Sequence, residues 1–473
     1  MQARNAIDRS LKVLAKSKEL HPMKEMRILS PTAILGYGFP EDSFREGLRR
    51  DPHVIAVDAG STDPGPYYLG AGECFTAGAA VKRDLEILLA AVVERGIPLL
   101  IGTAGGSGGR PHVERDLSLI RKIACEKGLH FKMALIQAEV GPEKVINYLR
   151  QGRVTPLGPA PALSEEEVGR SARIVGQMGV EPLMKALSAG AQVVLAGRCY
   201  DPAVFAAPAI EAGFDPGLAL HLGKIMECGA IAAVPGSGSD CLYGRLERDC
   251  FEVEPTTPAR QCTEASIAAH TLYEKSNPLL LPGPGGMIDL NASSFEQSGG
   301  RAVRVAGSRF IPAEKYTVKL EGVKKAGYRT VSIAGCRDPI MIRQIDELIG
   351  AVRERVTDNF RNAGLNFFLD FRLYGKDGVM GALEPQAVVP CHELGIVIEA
   401  VAGTQEAADA VCSFARSTML HTSYPGRLAT AGNLAFPFSP SDFRGGEVYR
   451  FNIYHLVEVN DPLELFSVEL IDL

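Results

Sequence analysis

Four short stretches hold the residues of this chain best suited to chemistry. "DAGSTD" sets Asp58 and Asp63 around Ser61 and Thr62. Two acids in one cleft can split their pKa values and serve as acid and base, or share a divalent cation through oxygen ligands. The plainer alternative is that they form Asx turns or cap a helix. "GRCYDP" brings Arg198, Tyr200 and Asp201 together at the end of an apolar run. An arginine there suits an anionic substrate, while Asp201 can instead cap the helix that Pro202 opens. "KIMECGA" sets Glu227 among Met, Cys and Ala, where burial would raise its pKa and suit it to proton transfer; partial exposure on a helix is the alternative.

The fourth stretch, "GTAGGSGGR", offers the backbone N–H groups of Gly105, Gly106, Ser107, Gly108 and Gly109, with Arg110 able to pair with a carboxylate or phosphate. It lacks the Lys-Ser/Thr of a P-loop and does not fit G-x-G-x-x-G, so nucleotide binding does not follow. A tight turn with close backbone packing is the competing explanation. Gln137 ends another apolar run. His270 and Glu274 stand at i, i+4, a spacing that can present a metal pair but more often belongs to a packed histidine. No G-x-S-x-G elbow, S-x-x-K or Cys/His nucleophile pattern is present, so covalent acyl transfer has no support.

The elements that must position these residues alternate. Apolar, β-branched runs in "EMRILSP", "HVIAVDAG", "IPLLIGT", "HFKMALIQAE" and "AQVVLAG" are separated by helical patterns at 77–95, 112–127, 142–150, 167–176 and 181–189. Strand, helix, strand at this spacing predicts an α/β fold with a doubly wound, mainly parallel sheet, whose strand C-termini open onto one ligand-binding edge. The reading divides the chain into an N-terminal extension (1–25), a Rossmann-like core (26–230), a β-rich continuation of it (231–360) and a small α+β, ferredoxin-like domain (361–473).

The 473 residues carry a net charge of −6 with no basic stripe, which argues against nucleic acid as a partner. No apolar stretch approaches the ~20 residues of a membrane span, and the first 25 residues lack a signal-peptide centre, so a cytoplasmic protein is expected. The ten cysteines are scattered without a C-x-x-C pair, which fits buried thiols rather than a disulfide framework or structural zinc.

The linked motifs "VDAGSTDPGPYYLG", "GTAGGSGGRPHVERD", "LAGRCYDPAVFAA", "HLGKIMECGA", "SIAAHTLYEKSNP" and "EGVKKAGYRTVSIAGCRDP" resemble the acyclic terpene utilisation protein AtuA family, from about Met26 to near the chain's end. The resemblance implies a bacterial protein tied to the catabolism of branched or unsaturated acids. It also implies a possible small α+β module, here a separate partner subunit, and carries over no catalytic residues. The residues themselves lead to an expected lyase, a hydratase or dehydratase acting on a small carboxylate or its CoA thioester. Asp58, Asp63, Asp201 and Glu227 are the candidate acids, with Arg110, Arg198 and the glycine loop for the anion. The alternatives are a non-catalytic subunit binding acyl-CoA or an organic acid, and a metal-dependent amide or thioester hydrolase. A divalent cation held by Asp58, Asp63 or Asp201 stays open, and a homo-oligomer is the prior.

Overall fold

A computed structural model describes residues 23–473 apart from 275, 362, 387, 389 and 390. The N-terminal extension therefore lies outside the described residues except at 23–25. The chain forms two compact units, one running to Lys324 and resumed over Phe451–Leu473, the other spanning Lys325–Arg450.

The first unit is built on a large mixed sheet. Its centre is parallel, with Met26–Ser30, Val54–Asp58, Leu99–Gly102, Val193–Ala196 and Lys132–Ile136 side by side in that order. Antiparallel strands extend both edges. Leu242–Leu246 pairs with Met26–Ser30, followed outward by Cys250–Pro255, Ala302–Ala306 and Ser294–Ser298. On the opposite edge Val468–Asp472 pairs with Lys132–Ile136. The central strands are continuous apolar runs because both faces are buried. Ile28, Val54 and Ala56 enter one core, and their neighbours Leu29, Ile55 and Val57 enter the other.

The intervening helices include Gly78–Arg95, Arg110–Lys127, Pro142–Arg150 and Glu181–Ser188. The first two stop at Gly96 and Gly128, each left-handed at φ 66° and 62°, a conformation glycine takes without penalty. The helix expected over 167–176 is a correction. The chain instead forms a short helix, Glu165–Gly169, and then the strand Arg173–Gln177, which pairs antiparallel with Lys319–Val323. The pair Ile174 and Val175 favours the pleated ladder over another helical turn.

The second unit pairs Phe367–Tyr374 with Leu394–Ala402, and that strand with Tyr328–Cys336. Helices Ile345–Arg361 and Gln405–His421 set Val352, Val356, Val411 and Ala415 against Leu369, Ile396 and Ile398 of these strands.

Candidate functional site

Asp58 is the last residue of its central strand, and Arg198, Tyr200 and Asp201 follow the end of another. The two strand ends are held in register by the loop between Leu99–Gly102 and the helix starting at Arg110. Thr103 sits there in the left-handed region, φ 47°, where its hydroxyl accepts from the Cys199 N–H at 3.2 Å while its own N–H donates to the Gly197 carbonyl at 3.0 Å. Gly108, φ 66°, lies so close to the neighbouring chain that a Cβ would stand 2.1 Å from the Arg198 nitrogen. Gly102 leaves room for Asp58, whose Oδ1 would be 3.4 Å from an added Cβ.

The glycine loop is thus packed rather than open. Gly105, Gly106, Ser107, Gly108 and Gly109 are all buried, and most of the loop's N–H groups are spent within the chain, those of Gly106, Ser107 and Gly108 on the carbonyls of Thr103 and Ala104. The Gly105 N–H donates to Asp116 Oδ2 at 2.8 Å, and the Arg110 N–H donates to Glu139 Oε2 at 2.7 Å. Arg110 itself is exposed, and Gln137 is half-buried with an unpartnered Oε1. Asp63 is exposed and turns back on Ser61, which donates to it at 2.7 Å, while Thr62 is buried. That is the local turn geometry weighed for these residues.

What does assemble is a buried ionic group. Arg198, 2% exposed, donates through Nε to Glu321 Oε2 and through Nη1 to Asp201 Oδ1 and the Cys199 carbonyl, each at 2.7 Å. Asp201 is therefore an arginine partner, and the helix Ala203–Glu211 starts without a side-chain cap. Lys319 approaches the other Glu321 oxygen at 2.7 Å. Burial pushes the Glu321 carboxyl up, but Arg198 and Lys319 outweigh it and hold it down at about 2.

Glu227 follows the helix Pro216–Met226, and its Oε1 accepts from Lys224 Nζ at 2.6 Å. Lys224 also donates to Glu274 at 3.1 Å and lies 4.3 Å from the centre of the Tyr273 ring. Burial works against its charge, but Glu227, Tyr273 and Glu274 keep it protonated. Burial pushes Glu227 up to about 8, with Asp201 and Glu274 adding repulsion against the pull of Lys224. Asp58 is likewise raised well above the usual carboxylate range by burial, then by Asp201, with Glu227 adding and Arg198 opposing. His270 is lowered to about 4 by burial and the charge of Lys224, so its imidazole is neutral. Tyr200 stays a phenol, raised by burial and the charges of Glu227 and Asp201. Burial also pushes the thiols of Cys199 and Cys228 up to about 12, which removes them as nucleophiles.

Four of these buried side chains leave a polar atom without a partner: Asp58 Oδ1, Tyr200 OH, Glu227 Oε2 and His270 Nε2. Buried polar atoms are normally satisfied, so four within one electrostatically linked group mark a place for a polar ligand. The group reaches solvent through Asp201 and Glu274, whose side chains are 28% and 44% exposed. The i, i+4 reading of His270 and Glu274 is a correction. The helix Glu264–Leu272 has ended before Glu274, which takes φ 71°, and His270 instead stacks on Tyr273 with ring centres 4.9 Å apart. Among the described residues no group of three His, Cys, Asp or Glu side chains is arranged to hold a metal ion.

Of the residues singled out from sequence, the structure brings together Asp58, Arg198, Tyr200, Asp201, Glu227 and His270. Asp63 and Arg110 are exposed, and the glycine loop packs against the Arg198 backbone. Lys224, Tyr273 and Glu321 were missed as participants, and Glu274 was noted only as a metal-pair partner of His270. The signal for Glu321 was a single acid flanked by apolar residues in the strand "TVKLEGV", and for Lys224 a lysine inside the nearly all-apolar helix "PGLALHLGKIM".

A mixed α/β fold whose parallel strands end at a buried group of coupled acids and bases defines a protein with a polar site at the edge of its sheet. The chain belongs to the acyclic terpene utilisation family AtuA, whose family model matches residues 78–236 and 254–436. No curated protein and no solved structure matches it. No helix among the described residues is long and apolar enough to cross a membrane.

Proposed function

We propose that the chain is a lyase of the hydratase or dehydratase type, acting on a small unsaturated carboxylate or its CoA thioester within a catabolic route. The observation that carries this reading is the pair of buried carboxyl groups, Asp58 and Glu227, both raised yet unequal in environment. Glu227 touches a lysine, whereas Asp58 Oδ1 has no partner. Unequal acids in one site are the arrangement that acid–base chemistry uses.

In the direction of hydration, Glu227 as carboxylate takes a proton from water and the oxygen bonds to the β-carbon. The π electrons move onto the α-carbon and the carbonyl oxygen, where Lys224 stabilises the developing charge. Asp58, protonated, then donates its proton to the α-carbon. Tyr200 and the neutral His270 supply hydrogen bonds that orient the substrate.

The test is turnover on a panel of short 2-enoyl and 3-hydroxyacyl substrates, free and as CoA thioesters, with Glu227→Gln and Asp58→Asn alongside the native protein. Each variant is expected to lose about 10²-fold or more in kcat. Absence of turnover across the panel, or variants within about tenfold of native, would overturn the reading and favour a ligand-binding subunit.

A further inference from the structure

We propose that Lys224 is the anion receptor of this site and that Glu274 is a displaceable stand-in, occupying the position that a substrate carboxylate or thioester oxygen takes. The inference rests on the reading of the cluster as a site for a small carboxylate or its thioester, and deepens it by naming the group that recognises the anion.

The two arginines expected for this role are committed or misplaced. Arg198 is engaged by Glu321, Asp201 and the Cys199 carbonyl, and Arg110 is exposed. Lys224 is different because its two carboxylate partners are unequal. Glu227 is 7% exposed at 2.6 Å, whereas Glu274 is 44% exposed at a longer 3.1 Å. Glu274 also makes its contact from a backbone at φ 71°, the left-handed region that a non-glycine residue occupies at a cost. Being the more exposed and the more distant of the two partners, Glu274 is the one that gives way.

Charge favours exchange over addition. With Glu227 ionised, as its role as base requires, the group holds Asp201, Glu227, Glu274 and Glu321 against Arg198, Lys224 and Lys319, so a further anion meets net repulsion in that state. Replacing one carboxylate by another leaves the balance unchanged. The ammonium hydrogen freed by Glu274 then points at the ligand, beside Glu227 Oε2, Tyr200 OH and His270 Nε2, the atoms left without partners.

The experiment is calorimetric titration of crotonate, as the smallest unsaturated carboxylate, into the native protein, Glu274→Gln, Lys224→Met and the double variant. Glu274 is half-exposed, so Glu274→Gln keeps the fold and removes only the competitor. It is expected to bind crotonate about tenfold more tightly than the native protein, because the binding-competent state is no longer taxed by the internal carboxylate. In the double variant the gain disappears. Crotonate binding that Glu274→Gln leaves unchanged, or no binding to either protein, overturns the proposal without reference to Lys224→Met, whose buried Glu227 loses its partner. Turnover measured in parallel separates the two readings. Tighter binding without any turnover refutes the lyase and keeps the receptor, whereas Glu227-dependent turnover with an unchanged Glu274→Gln affinity refutes the receptor alone.

Discussion

Removing Arg198 would leave Glu321, 1% exposed, as a buried charge with only Lys319 to balance it. Breaking one side of a buried pair costs roughly 3–5 kcal/mol, so Arg198→Met is expected to lower urea stability by that order. An effect under about 1 kcal/mol would show that Glu321 takes up a proton or finds another partner. Glu227 makes the complementary prediction for activity. As a base it must be ionised, and its carboxyl is held up at about 8, so kcat/KM is expected to climb about tenfold per pH unit below that value and to turn down again where the acid, Asp58, loses its proton. A pH profile flat between 6 and 8 on a substrate that turns over would remove Glu227 from that role. At this scale the sequence was informative where a residue sat in a polar motif, as with Asp58, Arg198 and Asp201. It was silent where a charge stood alone among apolar neighbours. Besides near partners at Glu227 and Lys319, Lys224 and Glu321 reach Glu274 and Arg198, 50 and 123 residues away, and no local pattern encodes those longer pairings.

At the scale of elements, the alternation of apolar runs and helical patterns was enough to place the central strands and most of the helices, because buried parallel strands are unbroken apolar stretches. It was not enough over 167–176, where a helix was expected and the strand Arg173–Gln177 is specified by its distant partner at Lys319–Val323. The glycine loop shows the same limit. Its glycines signalled a special backbone, but whether that backbone cradles a ligand or packs against the chain depends on neighbours more than 80 residues along, at Gly197 and Arg198. The packing explanation has a measurable consequence. Gly108→Ala is expected to cost more than about 3 kcal/mol, since a Cβ cannot stand 2.1 Å from the Arg198 nitrogen. Gly96→Ala, equally left-handed at φ 66° but with nothing within 4 Å, is the control and should cost about 1 kcal/mol. Thermal melts of the two variants that coincide would refute the claim that close approach, rather than φ, makes Gly108 necessary.

For the molecule as a whole, the buried titratable groups set a preferred pH. His221 is fully buried between Ser308 and Thr271 and is lowered by burial to about 3, and His270 is lowered to about 4. Below their unfolded value of about 6.5 the unfolded chain binds protons that the folded chain refuses, so stability falls as the pH drops from there. Glu227, and Asp58 in the same direction, act oppositely. Their protons are retained by the folded state after the unfolded chain has lost them, so their contribution declines as the pH rises from about 4.5 towards 8. Calorimetric Tm values are expected to peak between about 5 and 7, and Glu227→Gln should flatten the alkaline side. A native Tm that keeps rising through pH 8 would contradict the burial of these acids. The return of the chain to its first unit after Arg450 has a consequence for biosynthesis. The parallel strand Lys132–Ile136 receives its outer neighbour Val468–Asp472 only after roughly 330 further residues, and at 5–20 residues per second the ribosome needs on the order of 20–60 s to supply them. Throughout that interval the nascent sheet carries an unprotected edge, which makes this protein a natural client for whatever shields growing chains from one another.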